Sequence, residues 1–355
     1  MKAWLARLLA PVLALLLVGC GQPAPISQEA YVFGTRVELL VWGAPEVRAQ
    51  TAMGEVLREF DRLHRTYHAW QPSELTALND AIAAGQPHEV SDELAQLIRT
   101  AQALSAQGEH LFDPGIGKLV ALWGFHGDEF KPQLPDSAAL QKLVAARPSI
   151  AKLQISDRRI TRADISVALD FGGYLKGVAL DRAAAILKTR NIHNALINIG
   201  GNVLALGSKG SGKEARPWRV GIQHPRAAEA GGVPLATLDL HDGEAIGTSG
   251  DYQRFFEVDG QRYSHLIDPR SGMPATQTQA LTVLISPGQD RLDAGMRSDV
   301  LSKPLFIAGD DWPRLAKQLD VAQVLRVDAM GRIDATRALL ERLQFPEGMA
   351  AQAID

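Results

Sequence analysis

The residues best suited to chemistry lie between Gly247 and Pro274, where hydroxyls, charged groups and one histidine stand among short apolar runs. Asp259-Gly260 separates two of these runs. Both central positions of a tight hairpin turn tolerate positive φ, so a β-hairpin is predicted here. Its far end would carry His265 together with Ser264 and Asp268. The sequence therefore predicts a loop that carries a functional site on a β scaffold.

Two glycine pairs, Gly172-Gly173 and Gly200-Gly201, each follow an apolar, strand-like run. Gly172-Gly173 precedes a predicted helix, whose first N–H groups favour an anion, and Lys176 adds a cation one turn in. This arrangement predicts a pyrophosphate cradle. Either pair taken alone is also typical of a tight turn or bulge in a strand.

A third glycine-rich segment, 207–217, nearly spells a phosphate-binding P-loop. Glu214 stands where a Ser or Thr must hold the magnesium ion, and Pro217 follows where a helix would have to begin. We interpret this segment as an exposed connection between strands.

The elements that must position these groups mix helix-like and strand-like patterns. The chain has 355 residues, of which 46% are apolar, enough for a sizeable core in two subdomains or one large one. Helical spacing predicts helices over 46–64, 91–106, 138–145, 174–189, 301–307 and 312–318. Strand patterns cover 32–41, 195–199, 203–206, 218–222, 235–240, 252–258 and 281–285, with a small hairpin at 152–155 and 159–161.

Residues 1–19 have the pattern of an export signal, in which Lys2 and Arg7 precede an apolar run too short to span a bilayer comfortably. Cys20 is the only cysteine, which excludes an intramolecular disulfide. The Leu-Val-Gly-Cys string ending there resembles the bacterial lipobox. That resemblance implies cleavage before Cys20, lipidation of its thiol and a tether over 20–30, so the protein would be anchored to a membrane of the cell envelope and face the periplasm. A plain secretory signal with an unused thiol is the alternative.

The charge balance bears on possible partners. The formal charge is −3, and removing Lys2 and Arg7 with the signal changes it to −5. Phosphate backbones require a clustered basic surface, so nucleic acid is not expected as a partner.

Several segments, taken in order, closely resemble the ApbE family of periplasmic FAD:protein FMN transferases. They are 170–181, 195–202, 248–252, 264–272 and 299–302, preceded by 33–35, 73–79 and 112–124. The resemblance covers 31–345 and leaves 346–355 as a tail. It implies an α+β fold of two subdomains, related to the T-fold, with FAD in the cleft between them. The implied reaction transfers FMN to a threonine hydroxyl of an acceptor redox protein, releases AMP and uses Mg²⁺.

The same resemblance assigns roles to individual residues. The implied FAD contacts are Phe33, Ala69, Trp70, Gln71, Asp113, Lys176 and Ile267. The implied Mg²⁺ ligands are the Gly173 carbonyl, Asp299, Ser302 and the residue at position 303; all but the last are hard oxygen donors. His265 would polarise or deprotonate the acceptor hydroxyl, with Asp299 also in the catalytic set. Alternatively, His265 is a structural residue bonded to the turn at Asp268.

One residue departs from the family pattern: Lys303 stands where the family has a threonine ligand. An ammonium group has no lone pair for a metal. Either Asp299, Ser302, the carbonyl and water hold the metal, or Lys303 itself supplies the positive charge, or Lys303 points outward. Two other functions therefore remain open: an FAD pyrophosphatase that yields FMN and AMP, and a non-catalytic flavin-binding maturation lipoprotein.

Overall fold

The computed structural model describes the residues 24–127, 129–210, 212–227, 231–288 and 293–355. The predicted signal and Cys20 lie outside these ranges. Within them, no helix combines the length and the apolar character that a membrane crossing requires.

The described chain mixes helices and strands. The helices are α1 Glu46–Thr66, α2 Glu74–Ala83, α3 Asp92–Gln107, α4 Gly117–Leu122, α5 Ser137–Ala146, α6 Leu175–Thr189, α7 Ala294–Ala308, α8 Trp312–Gln318 and α9 Arg337–Leu340. The strands are β1 Ile26–Val32, β2 Thr35–Val41, β3 His88–Glu89, β4 Gln154–Ser156, β5 Arg159–Arg162, β6 Ala195–Ile199, β7 Asn202–Leu206, β8 Trp218–Ile222, β9 Ala236–Leu240, β10 Ala245–Gly250, β11 Phe255–Val258, β12 Gln261–Ser264, β13 Thr278–Ile285, β14 Val324–Asp328, β15 Ile333–Thr336, β16 Leu343–Gln344 and β17 Gln352–Ile354.

A large sheet organises the molecule in the order β1-β2-β6-β7-β10-β13-β14-β15-β17, and only the β15–β17 pair is parallel within the described part of this sheet. Successive side chains along each strand point to opposite faces of the sheet. On β7, for example, Leu204 belongs to one buried cluster and Val203 to another. Both faces of the sheet are therefore covered.

The two faces are covered by different layers. Helices α1, α6 and α7 pack on one face around a cluster that includes Phe60, Leu180 and Phe306. The small sheet β16-β9-β8 covers the other face through Trp218 and its neighbours. A third cluster, around Trp123, joins α4 to the β11–β12 hairpin. The predicted α+β class is confirmed.

Several predicted elements are confirmed and others need correction. Ser91 caps α3, and Asp259 (φ 50°) and Gly260 (φ 75°) form the predicted hairpin turn. The strand predicted over 32–41 is confirmed from Thr35 onward as β2, but Val32 ends β1, and the turn at Phe33-Gly34 joins the two strands into a hairpin. Because β1 starts at Ile26, the described chain enters the main sheet inside the range predicted as a tether. The predicted tail likewise contains β17, which joins the sheet.

Candidate functional site

Helices α6 and α7 cross at two glycines, and this contact fixes the candidate site. A Cβ on Gly177 would lie 2.6 Å from the Gly295 carbonyl oxygen and 2.7 Å from Asp299 Cβ, so only glycine permits the approach. Asp181 of α6 accepts hydrogen bonds from the N–H groups of Gly295 and Met296, at 2.8 and 2.9 Å. It thereby caps the first turn of α7 from a neighbouring helix. Burial raises the pKa of Asp181 to about 7.

Asp299 is the buried carboxylate of this site. Its side chain is 2% exposed; Oδ2 accepts a hydrogen bond from the Gly177 N–H at 2.8 Å, and Oδ1 accepts one from Lys303 Nζ at 2.6 Å. Burial acts to raise the pKa of Asp299, but the charges of Lys303 and Lys176 and the two hydrogen bonds lower it below its ordinary value. Asp299 is therefore ionised.

Lys303 lies between Asp299 and the Gly172-Gly173 turn. A Cβ on Gly173 would stand 2.8 Å from Lys303 Cε, so the lysine stem fills the space beside this glycine. Nζ also donates to the Asp299 carbonyl oxygen at 2.7 Å. Burial and the nearby Lys176 lower the pKa of Lys303, while Asp299 opposes that shift. The alternative in which Lys303 points outward is wrong.

The residues predicted to bind Mg²⁺ do not fit that ion as they stand. Ser302 Oγ lies 2.8 Å from Ser249 Oγ and donates to the Asp299 carbonyl oxygen. Both carboxylate oxygens of Asp299 already accept hydrogen bonds, and position 303 carries an ammonium group. Mg²⁺ requires six oxygen ligands at about 2.1 Å. In the described ranges, no three His, Cys, Asp or Glu side chains gather as metal ligands.

His265 follows β12, and the hydrogen bonding indicates its tautomer. Nδ1 lies 3.2 Å from the Arg254 carbonyl oxygen, which only accepts, so Nδ1 carries the proton and Nε2 keeps its lone pair. Burial, followed by the charges of Arg254, Lys176 and Lys303, lowers the pKa of His265 to about 3. The imidazole is therefore neutral at neutral pH. It bonds the Arg254 carbonyl, whereas the Asp268 carboxylate bonds Arg270.

Arg254 connects this cationic cluster to the predicted flavin contacts. Its guanidinium donates to the Phe125 carbonyl oxygen at 2.7 Å. His126 follows Phe125 in the chain and lies against Trp70, with ring centroids 5.5 Å apart. The backbone N–H groups of Trp70 and Gln71 in turn donate to His68 Nδ1.

Phe33 lies at the other end of this row of rings. Phe33 and His64 have centroids 5.6 Å apart, and His64 and His68 have centroids 5.1 Å apart. Phe33 has φ 57° in the two-residue turn between β1 and β2, a left-handed conformation that a bulky side chain seldom adopts. Such strain is often found where a ligand is held.

The glycine pair Gly200-Gly201 forms the tight turn between β6 and β7, which agrees with the structural alternative given for it. This turn lies at the same sheet edge as Phe33: a Cβ on Gly200 would stand 2.5 Å from Thr35 Oγ1, and Gln253 Nε2 donates to the Gly200 carbonyl. Loops from β2, β6 and β10 therefore meet at one edge of the main sheet.

Three other predicted contacts are less open to a ligand. Asp113 is 5% exposed, and its Oδ1 accepts from the N–H groups of Gly115 and Ile150, both at 2.8 Å. Burial raises its pKa. Ile267 is buried in the cluster around Trp123, and Ala69 packs against the main core. The structure gives these side chains structural contacts, and their role toward FAD stays a prediction.

Some residues of the site carried no assigned role in the sequence analysis. Gly177 and Asp181 fall inside the segment 170–181, where their spacing of four on one helix face was the available signal. Arg254 and Ser249 had no such signal, because their partners lie far away in the chain. Ser264 is buried, and its Oγ has no hydrogen-bond partner among the described residues.

Lys176 at the start of α6, with Lys303 of α7 and the neutral His265 nearby, suits a protein that binds a phosphate-bearing ligand. The family model described as "ApbE family" matches residues 33–325. The chain belongs to the ApbE family, and the predicted resemblance is confirmed.

The chain is similar to several named relatives and to solved structures. A Rhodobacter capsulatus relative named FAD:protein FMN transferase is 42% identical over 328 residues; the match covers 92% of this chain and 60% of that relative. A Klebsiella pneumoniae relative of the same name is 32% identical, with 88% of each chain covered. The crystal structure of the ApbE protein from Thermotoga maritima matches with a TM-score of 0.78 at 27% identity, over 90% of this chain and 99% of that one.

Proposed function

We propose that this chain transfers FMN from FAD to a threonine hydroxyl of an acceptor protein and releases AMP. Family membership and the names of the relatives support the reaction. The observation that carries it is the cluster of Lys176, Lys303 and Asp299 beside the neutral His265, because a diphosphate needs cations and an incoming hydroxyl needs a base.

The reaction is a displacement at the FMN phosphorus of FAD. The acceptor threonine oxygen forms a new P–O bond, the bond from that phosphorus to the bridging oxygen breaks, and AMP leaves with the bond's electron pair. His265 Nε2 takes the hydroxyl proton. Lys176, whose Nζ donates to the Gly172 carbonyl oxygen, and Lys303 offset the charge on the diphosphate.

Binding of the diphosphate would also prepare His265 for its role. Burial and three cations hold its pKa at about 3, which makes the free imidazole a weak base. An anion beside Arg254, Lys176 and Lys303 would offset the repulsion that these cations exert on a protonated imidazole. The pKa of His265 therefore rises when FAD binds, and the base becomes effective only with substrate in place.

Mg²⁺ was implied by the family resemblance. An ion bound near the diphosphate would supply charge neutralisation. Since the ammonium of Lys303 occupies the predicted site, every step above is assigned to residues of this chain.

The proposed location is the cell envelope of a bacterium. The sequence of residues 1–20 supports export, lipidation at Cys20 and anchoring to a membrane with the domain facing the periplasm. The acceptor would then be an exported or membrane-embedded redox protein. Labelled palmitate should enter the wild-type chain in cells and not the Cys20→Ser variant; equal labelling of both would refute the anchor.

The reaction is tested by incubating the purified chain with FAD and an acceptor domain and weighing the products. A mass gain of one FMN on the acceptor supports transfer, free FMN with AMP supports the pyrophosphatase, and unchanged FAD supports a binder. His265→Gln should lower transfer at least about 100-fold, the range expected for a lost general base. His193→Gln, an exposed histidine, is the control. Equal activity of both variants would refute the role of His265.

A further inference from the structure

Lys303 occupies the space in which the family resemblance places a divalent cation. Its Nζ lies 2.6 Å from Asp299 Oδ1 and 2.7 Å from the Asp299 carbonyl oxygen. Its stem passes so close to Gly173 that a Cβ there would stand 2.8 Å from Cε. A metal ion between Asp299 and the Gly173 carbonyl would have to share this space with an ammonium group of like charge.

We propose that Lys303 is the resident cation of this site, so that the chain binds and cleaves FAD without Mg²⁺. The inference rests on the proposed function and names the residue that contacts the substrate's diphosphate. An ammonium group has three donors, of which Asp299 engages two. The third donor is left for a phosphate oxygen. The side chain is 13% exposed against 2% for Asp299, so the lysine is the member of the pair that a ligand can reach.

The charges around Lys303 suit a diphosphate without a metal. Lys303 and Lys176 contribute two positive charges and Asp299 one negative charge, which leaves an excess of one. Arg254 lies close enough to act on His265 together with both lysines, and it adds a further positive charge. Fixed cations in a partly buried site stabilise developing phosphate charge without reorganising.

The packing around Lys303 holds its backbone in place. Pro304 follows directly inside α7, where it removes one helical N–H donor and restricts the conformation of the preceding residue. The proline ring packs on the end of α3, because a Cβ on Gly108 would lie 3.2 Å from Pro304 Cβ. Lys303 is thus positioned by its own helix, with Gly173 leaving room for its stem and Gly108 leaving room for the following proline.

The first test measures FMN transfer to an acceptor domain in EDTA and in Mg²⁺. Wild-type rates should agree within about twofold, whereas Lys303→Met should lose about 100-fold in both conditions, as for removal of a preorganised charge donor. Lys303→Thr restores a hydroxyl ligand and should transfer only with Mg²⁺. Lys317→Thr, an exposed lysine on α8, is the control and should behave as wild type. Wild-type transfer that EDTA abolishes and Mg²⁺ restores would overturn the inference.

A second test does not depend on turnover. Calorimetric titration of Mn²⁺ into FAD-saturated protein should show no site in the wild type and one site in Lys303→Thr. One stoichiometric site in the wild type overturns the inference. If the wild type forms no FMN adduct in any condition, the proposed function fails, and the Mn²⁺ titration still decides the role of Lys303. Thermal melts should confirm that each variant is folded before its result is used.

Discussion

Replacing Asp299 and Lys303, singly and together, measures how much their interaction contributes to the free energy of unfolding. At 2.6 Å and an effective dielectric constant near 20, Asp299 and Lys303 attract by about 6 kcal/mol before the cost of desolvating both charges. Lys303→Met leaves a carboxylate that is 2% exposed with one remaining hydrogen-bond donor, the backbone N–H of Gly177. We expect it to reduce the free energy of unfolding by about 4 kcal/mol.

Asp299→Asn should cost less, on the order of 2 kcal/mol, because the partly exposed lysine can turn toward water or release its proton. The double variant should therefore lose about 2 kcal/mol less than the sum of the single losses. Urea unfolding followed by circular dichroism measures all four proteins. The exposed pair Asp61 and Arg65, also four apart on a helix, is the matched control and should couple by less than about 0.5 kcal/mol. Coupling no larger than this control, or a greater loss for Asp299→Asn than for Lys303→Met, would refute the reasoning.

Two further predictions concern Phe33 and His265. Phe33→Gly should change stability by less than about 1 kcal/mol, since relief of the left-handed backbone offsets lost ring packing, yet weaken FAD binding about tenfold by fluorescence titration. Asp259→Gly is the control, because Asp259 has the same left-handed backbone in a different hairpin turn. An equal loss of FAD affinity in this variant would contradict the assignment of Phe33 as an FAD contact. The pKa of His265 is about 3 in the folded protein, against an ordinary value of 6.5. The contribution of the neutral imidazole to the free energy of unfolding is therefore complete above pH 6.5 and declines as the pH falls toward 3. Wild type should lose about 1 kcal/mol more than His265→Gln between pH 7.5 and 5, after allowance for partial exposure; identical pH profiles in urea unfolding would rule this out.

Local signals in the sequence predicted the elements that depend on local chemistry. Ser91 supplies a side-chain acceptor for the first turn of α3, and Asp259-Gly260 supplies two positive φ angles, so both features could be read without the fold. Strand β10 was missed because Gly247 and Gly250 give it a low strand propensity. A Cβ on Gly247 would lie 2.2 Å from the Ser298 carbonyl oxygen, which shows that the glycine serves the contact with α7. The need for glycine at this position arises from tertiary packing, which the strand propensity of a local sequence does not describe.

The candidate site divides in the same way. Asp299 and Lys303 are four residues apart on α7, a spacing that places side chains next to each other on a helix. The predicted helix began only at residue 301, so the fold was needed to put Asp299 on it. The hydrogen bond from Gly177 to Asp299 joins residues 122 apart, and the bond from Arg254 to Phe125 joins residues 129 apart. Contacts of this kind require the fold. The sequence could therefore name the charged groups and could not show that both oxygens of Asp299 were already engaged.

The contacts of Asp299 connect helices α6 and α7 and hold Lys303 without a ligand. Asp181 caps α7, Gly177 lets α6 touch it, and the Gly177 N–H holds the Asp299 oxygen that Lys303 does not use. Through these contacts Lys303 lies beside the turn at the start of α6. A metal ion would have to be recruited and would lose waters on binding, whereas this ammonium group is covalently part of the protein. The chain thus keeps a permanent cation where FAD is proposed to bind, at the cost of burying a charge that depends on one carboxylate.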